Sequence, residues 1–363
     1  MSSDDFLLLP QKEKVYQVNS NTKQDERIVQ VSLLTRAMRR SEFGALIGAF
    51  TIFIMFVTAD KSGEFLTFGG TARWTEVASY TGIMAIAVAL LMIGGEFDLS
   101  TGVMVGSSGL VLGLLITKLG LNTWIAIALT FVFAALVGAL NGYLVVRTKL
   151  PSFIVTLATM FVLRGFNLGF IYLWTGTVRV DAIDSGKSFA WPRKIFASTL
   201  WGPYDFSVSV LWWIGLTVIA AWVLTRTKAG NWISAVGGDA NAARNTGVPV
   251  KRVKISLFVT TSLAAALVGI MSATKFTSVQ AGQGVGEEFT YIIAAVVGGC
   301  LLTGGYGTVL GASIGASIIG IAFIGISFAG WNTDWNYAFL GAILFAAVSV
   351  NTAIRRRAEG TKK

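Results

Sequence analysis

A succession of apolar runs joined by short polar links occupies the chain from residue 44 to residue 353. A helix crossing the hydrocarbon of a bilayer needs roughly 20 mostly apolar residues. On that measure the runs predict spans near 44–60, 77–95, 99–117, 123–146, 153–173, 208–225, 253–273, 288–302, 306–328 and 335–353. Only 13% of the 363 residues are charged, against about 25% on average in soluble domains, so there is too little charge to coat a water-facing surface. The 41 glycines beside five prolines suit helices packed closely in lipid, where small residues let backbones approach. The expected fold is all-α, a polytopic membrane protein of about ten transmembrane helices. Residues 1–43 form a polar tail, 44–353 the membrane domain and 354–363 a basic tail. The third and eighth spans are the least regular: the third follows directly on Glu96 and Asp98, and the eighth is short. Both fit broken or re-entrant segments, which a membrane protein tolerates where protein rather than lipid covers the backbone.

The chain has no histidine and a single cysteine, Cys300. That excludes His-based catalysis, His-ligated metals, intrachain disulfides and Cys-rich clusters. No nucleotide loop is present either. Gly186-Lys187-Ser188 resembles the end of a P-loop, but Asp181 stands where its first glycine belongs, and the Gly282, Gly284, Gly286 cluster follows no soluble strand. This chain is therefore expected to bind no cofactor or metal and not to be an enzyme. The net charge of +10 has a topological explanation. Twenty of the 29 lysines and arginines fall on the side of the termini: in the first 43 residues, after the fourth span, in and around loop 226–254, and at the C-terminus. The positive-inside rule then places both termini in the cytoplasm, and nucleic acid is not an expected partner. The N-terminal tail lacks the build of a cleavable signal. Within it, Ile28, Val31, Leu34 and Met38 recur at helical spacing among arginines, which fits an interfacial helix on lipid headgroups.

Polar residues inside the apolar runs carry the functional signal. In the stretch 94–102, Glu96, Phe97, Asp98 and Ser100 lie between two apolar runs with glycines at both ends. It reads equally as a tight cytoplasmic turn and as a broken helix facing a substrate path. Arg164 sits mid-span and is expected to face the bundle interior, since a charge at the bilayer centre costs about 2.5–3.5 kcal/mol on insertion scales. Asn167 follows one turn later, and Asn141 lies near the end of the fourth span as a hydrogen-bonding link between helices. In the loop 226–254, Asp239 is a good N-cap for a short helix that Gly247 and Pro249 terminate. Such a capped helix, rich in small alanines, reads as a docking element or as a plain connector, and Ala243→Trp tests the former. Glu287 and Glu288 are expected to begin the eighth span on the far side, and the aromatic loop 174–207 reads as an interfacial anchor.

These motifs resemble the inner-membrane permease subunits of ABC importers for monosaccharides, of the ribose permease type, from about residue 77 to 350. Residues 95–100, Gly-Glu-Phe-Asp-Leu-Ser, are similar to the family's G-G-I-D-L-S, with Glu96 in place of a glycine. Asn141-Gly142, the run from Pro151 to Leu157, and Arg164-Gly165 resemble its next block. Gly237-Gly238-Asp239 through Gly247 resembles its GGN-x-x-AAR-x-x-G loop, and Ala294 to Gly299 with Gly304 to Thr308 its AAV-x-GG…GG-x-GT run. Asp239, Asn241, Thr101 and Cys300 depart from the usual residues.

The resemblance implies a permease that dimerises, as a homodimer or heterodimer, around a central pathway. It implies cytoplasmic ABC ATPase subunits that hydrolyse ATP with Mg, and a periplasmic or extracellular sugar-binding protein. The docking element would comprise Gly238, Asp239, Asn241, Ala242, Ala243, Arg244 and Gly247. Glu96, Phe97, Asp98, Ser100, Asn141, Arg164 and Asn167 are the candidates for the substrate path or gate. The location implied is the bacterial inner membrane. The intramembrane charges Glu96, Asp98 and Arg164 motivate one alternative, an ion-coupled secondary transporter.

Overall fold

A computed structural model describes residues 41–360; the expected interfacial helix at 25–40 lies outside the described residues. Thirteen α-helices are present among them: α1 (Ser41–Ala59), α2 (Phe68–Ile93), α3 (Thr101–Thr117), α4 (Thr123–Thr148), α5 (Ser152–Thr175), α6 (Ala190–Phe196), α7 (Ser209–Arg226), α8 (Lys228–Gly238), α9 (Ala240–Asn245), α10 (Val250–Phe276), α11 (Glu287–Val297), α12 (Val309–Phe328) and α13 (Trp335–Gly360). The β structure among the described residues is two antiparallel pairs of two-residue strands. β1 (Arg179–Val180) pairs with β4 (Val279–Gln280), and β2 (Thr199–Leu200) pairs with β3 (Phe206–Ser207). The all-α polytopic expectation holds.

Seven helices, α1, α2, α4, α5, α7, α10 and α12, are long and apolar enough to cross a membrane. The other three expected spans are helical but shorter. At 1.5 Å per residue, the 17 residues of α3 reach about 25 Å and the 11 of α11 about 16 Å, against a hydrocarbon thickness of about 30 Å. In α13 the apolar part is Trp335–Ser349, and the helix continues to Gly360 through the basic Arg355, Arg356 and Arg357.

Local chemistry sets the boundaries. Thr67 Oγ1 accepts the Gly70 N–H at the start of α2, and Asn122 Oδ1 accepts the Trp124 N–H at the start of α4. Lys149 takes a left-handed conformation (φ 61°) that ends α4, and Pro151 then opens α5. Helices α2, α12 and α10 form the centre, with 83%, 72% and 67% of their apolar windows buried, whereas α1 and α7 lie at the rim with 11% each. Met84, Leu91 and Met92 of α2, Met104 of α3 and Phe258 of α10 meet in the main core. A second cluster joins Phe56 and Phe65 to Ile326 of α12.

The two short helices α3 and α11 start against each other. A Cβ added at Gly102, in the first turn of α3, would overlap the carbonyl of Gly284 and the carboxylate of Glu288. Eleven residues along α3, about 16 Å, Gly113 packs on Val180 and Ile183 of the 176–208 connection. Glu288 therefore lies deep within the bundle, buried at 3% exposure. The two glutamates do open α11, as expected, but beside the first turn of α3 and not at the far side. Their backbone descends from β4 alongside α3 before α11 begins, because the glycines at 284 and 286, both with positive φ, allow a bent, non-helical approach.

Candidate functional site

Between α2 and α3 the chain is unwound over residues 94–100, and neighbouring helices supply the hydrogen bonds that a helix would have made. Ser152 Oγ accepts the Phe97 N–H at 3.0 Å, and Thr156 Oγ1 accepts the Leu99 N–H at 3.0 Å, both from the first two turns of α5. The Asp98 carboxylate is almost fully enclosed. Its Oδ1 accepts from the Ser100 N–H (2.9 Å) and the Ser100 hydroxyl (2.6 Å), and its Oδ2 lies 3.2 Å from the Thr261 hydroxyl of α10. Asn141 of α4 donates its Nδ2 to Ser100 Oγ at 3.1 Å and accepts the Thr159 hydroxyl at 2.6 Å. One polar network thus ties the break to α4, α5 and α10. It supports the broken-helix reading over a plain turn, since a surface turn would have water in place of these partners.

Glu96 forms an ion pair with Lys254 in the first turns of α10, with side-chain exposures of 8% and 22%. Of the acids that motivated an ion-coupled carrier, Glu96 is therefore charge-compensated within the chain. Sequence reasoning missed Lys254, Ser152, Thr156, Thr159 and Thr261. Lys254 reads as one more loop cation, and hydroxyls in apolar helices commonly bond their own preceding turn. Thr156 does that as well, donating to the Ser152 carbonyl at 2.9 Å.

The connection between α7 and α10 carries the short capped helix α9. Asp239 Oδ1 accepts the N–H groups of Asn241 (2.8 Å) and Ala242 (3.0 Å), capping α9. These two bonds hold the Asp239 carboxyl below its usual value. At the other end, Gly247 with φ 85° closes the helix, and the Val248 N–H returns to the Ala243 carbonyl at 3.0 Å. Asn241, Ala242 and Arg244 are exposed, as are Gly238, Asp239 and Gly247. Ala243 is not. It is 4% exposed and belongs to the core, so it anchors α9 from beneath and does not stand on the exposed face.

The end of α8 and the break touch directly. Gly237, near the end of α8, lies against the Ile93 carbonyl oxygen so closely that a Cβ there would overlap it. A third segment joins them: the Gly305 N–H donates to the same Ile93 carbonyl at 2.9 Å, and a Cβ at Gly304 would stand 2.7 Å from the Gly95 Cα. Three glycine pairs distant in sequence, 94–95, 237–238 and 304–305, thus form one backbone junction. Sequence inspection found each pair but not their meeting.

Arg164 and Asn167 separate. Asn167 faces the core along the buried stripe of Leu163, Asn167 and Ile171, and its Nδ2 has no hydrogen-bond partner among the described residues. Arg164, about 100° around the helix from Leu163, is exposed on the outer side of α5 near Phe161 and Leu168. Its charge is nonetheless near enough to the buried Glu288 carboxylate of α11 to act on it, so the expectation of an inward-facing charge is met in part. The inward stripe is already taken by residues at i, i+4 and i+8, which leaves Arg164 on its flank.

Residues 70–348 match the family described as the branched-chain amino acid transport system / permease component. Curated relatives include the xylose transport system permease protein of Escherichia coli strain K12, 30% identical over 361 aligned residues that cover 86% of this chain and 92% of the relative. The ribose import permease protein of the same strain is 28% identical, covering 82% and 90%. An inner membrane ABC transporter permease protein, also of that strain, is 30% identical, covering 76% and 81%. No solved structure matches the chain. With the family match spanning most of its length and the apolar bundle to bear it out, this chain is a multi-pass membrane protein that belongs to the permease component family of these transport systems.

Proposed function

We propose that the chain is the membrane permease of an ATP-driven importer of a monosaccharide or related polyol, seated in the bacterial inner membrane with both termini in the cytoplasm. The observation that carries this reading is the glycine junction. The end of α8, which leads directly into the capped helix α9, meets an unwound polar segment of the bundle with backbone touching backbone. That arrangement suits a machine in which force arrives from another subunit. Residues Gly238, Asp239, Asn241, Ala242, Arg244 and Gly247 form the surface for a cytoplasmic ABC ATPase, which binds and hydrolyses ATP with Mg. The names of the xylose and ribose relatives support a monosaccharide as cargo.

The path runs beside the break formed by Glu96, Phe97, Asp98 and Ser100, with Asn141 and Asn167 supporting it and Arg164 lining it. Arg164 is exposed midway along an apolar helix, where contact with lipid would be costly. A second permease subunit, identical or not, covers that face and encloses a hydrated path. A sugar-binding protein outside the membrane delivers the cargo. Purified complex in liposomes tests the reading. Uptake should require the ATPase, hydrolysable ATP and the binding protein; uptake that persists without ATP but collapses with a protonophore overturns it.

A further inference from the structure

The two flanks of α9 reach the same short stretch of chain by contacts of different mechanical kinds. On the N-terminal flank, Gly237 abuts the Ile93 carbonyl and Gly95, a steric contact between backbones. On the C-terminal flank, α9 is tied to α10 with little slack. The Gly247 N–H donates to the Arg244 carbonyl and the Val248 N–H to the Ala243 carbonyl, both at 3.0 Å, and the Val250 N–H donates to the Val248 carbonyl at 2.8 Å. Four residues further on, Lys254 pairs with Glu96. A steric contact resists approach but offers nothing against withdrawal. A partly buried ion pair resists separation, because pulling it apart leaves a charge without its partner in a poorly solvated place.

We propose that the Glu96–Lys254 ion pair is the pulling element of the docking loop. The glycine junction pushes on the break when α9 moves inward, and Lys254 draws Glu96 back when α9 withdraws. Glu96 precedes Phe97, Asp98 and Ser100, whose bonds together reach α4, α5 and α10, so a pull on it acts on the whole network. Glu96 and Lys254 are thus positioning residues that act through the break. The sequence bears on this as well: Glu96 stands where the motif that residues 95–100 resemble carries a glycine, which has no side chain to hold. The inference rests on α9 being the ATPase docking helix.

The test uses the assembled complex in liposomes. Copurification of the ATPase is measured first, and its loss on altering Ala242 and Arg244 checks the docking reading separately. Glu96→Gln and Lys254→Gln should leave assembly intact and ATP hydrolysis running, while cargo moved per ATP falls about tenfold, a loss within the usual range of coupling between sites. The charge exchange Glu96→Lys with Lys254→Glu should restore most of the coupling and also controls for misfolding. Glu96→Cys with Lys254→Cys, joined by a short reducible bis-thiol cross-linker, should keep uptake. Normal coupling in both single variants overturns the proposal. So does uptake that stops on cross-linking and returns on reduction, because the pair would then be a gate that must open.

Discussion

Gly237 packs on the carbonyl of Ile93 with no space for a side chain between them. One residue later, Gly238 has nothing within 4 Å of where a Cβ would stand. Gly237→Ala must therefore displace backbone and should destabilise the protein by about 1–3 kcal/mol, the usual cost of overpacking. Gly238→Ala should change stability by less than about 0.5 kcal/mol. Unfolding in detergent measures the two side by side; equal stabilities would mean that the junction does not constrain the fold.

The alanines of α9 make a second pair. Ala242 is exposed and Ala243 is core. Ala242→Trp should abolish copurification of the ATPase while leaving insertion and thermal stability unchanged. Ala243→Trp should lower stability and disturb the loop itself. The two variants are separated by measuring both quantities on each, since a mere loss of docking would not tell them apart.

How far these features can be read from sequence depends on whether one residue suffices to reveal them. Asp98, Ser100 and Asn141 stand out as polar residues among apolar ones, and the structure joins them in one network. Asp239 is legible because an N-cap is set by its own neighbours. The contact of Lys254 with Glu96 spans 158 residues, and no local pattern encodes a partner at that distance. The facing of Ala243 and the long-range partner of Arg164 are not legible for a related reason. The buried side of a helix is fixed by what packs on it, and a six-residue helix or a nearly all-apolar one gives periodicity little to mark. Lengths failed differently: α11 is half a span because Glu287 starts it beside Gly102 of α3, a tertiary contact.

Asn141 holds two hydroxyls at once, donating to Ser100 and accepting from Thr159, and it is fully buried. Asn141→Leu leaves Ser100 Oγ without this donor and Thr159 without this acceptor. The expected loss is about 1–3 kcal/mol of stability, the cost of unmet hydrogen-bonding groups in the interior. Combining it with Ser100→Ala should cost less than the two single losses added together, because both remove the same bond. Strict additivity in the double-mutant cycle would show that the Asn141–Ser100 bond does not form.

The cap of α9 should respond to acid in a defined direction. Asp239 is held below the usual carboxylate value by the N–H groups of Ala242 and Asn241. A carboxyl depressed on folding contributes stability above its unfolded pKa of about 4, and that contribution disappears as the pH falls through the lower folded value. Amide exchange at Asn241 and Ala242, corrected for its intrinsic pH dependence, should show protection that is constant at neutral pH and declines only below about pH 4. Asp239→Asn should retain the cap and remove the decline, while Asp239→Ala should lose protection at every pH. A decline that persists in the Asn variant would assign it to another group.

Arg164 offers the clearest separation of transport from folding. It is exposed on α5 and, among the described residues, makes no ion pair at contact distance, its charge acting on Glu288 only at longer range. Arg164→Gln should leave the unfolding midpoint of the isolated subunit in detergent within about 0.5 kcal/mol of the parent, as for a surface change. Uptake by the assembled complex should nonetheless fall at least about tenfold, a change of about 1.4 kcal/mol in the barrier, because on the proposed reading the charge faces the path that a second subunit completes. Asn167→Leu, on the inward stripe of the same helix, should show the reverse pattern. It fills a buried position whose amide Nδ2 lacks a partner, so stability should hold or rise, and uptake should follow it only through α5. If Arg164→Gln transports normally, that face of α5 meets lipid headgroups or water and the path lies elsewhere.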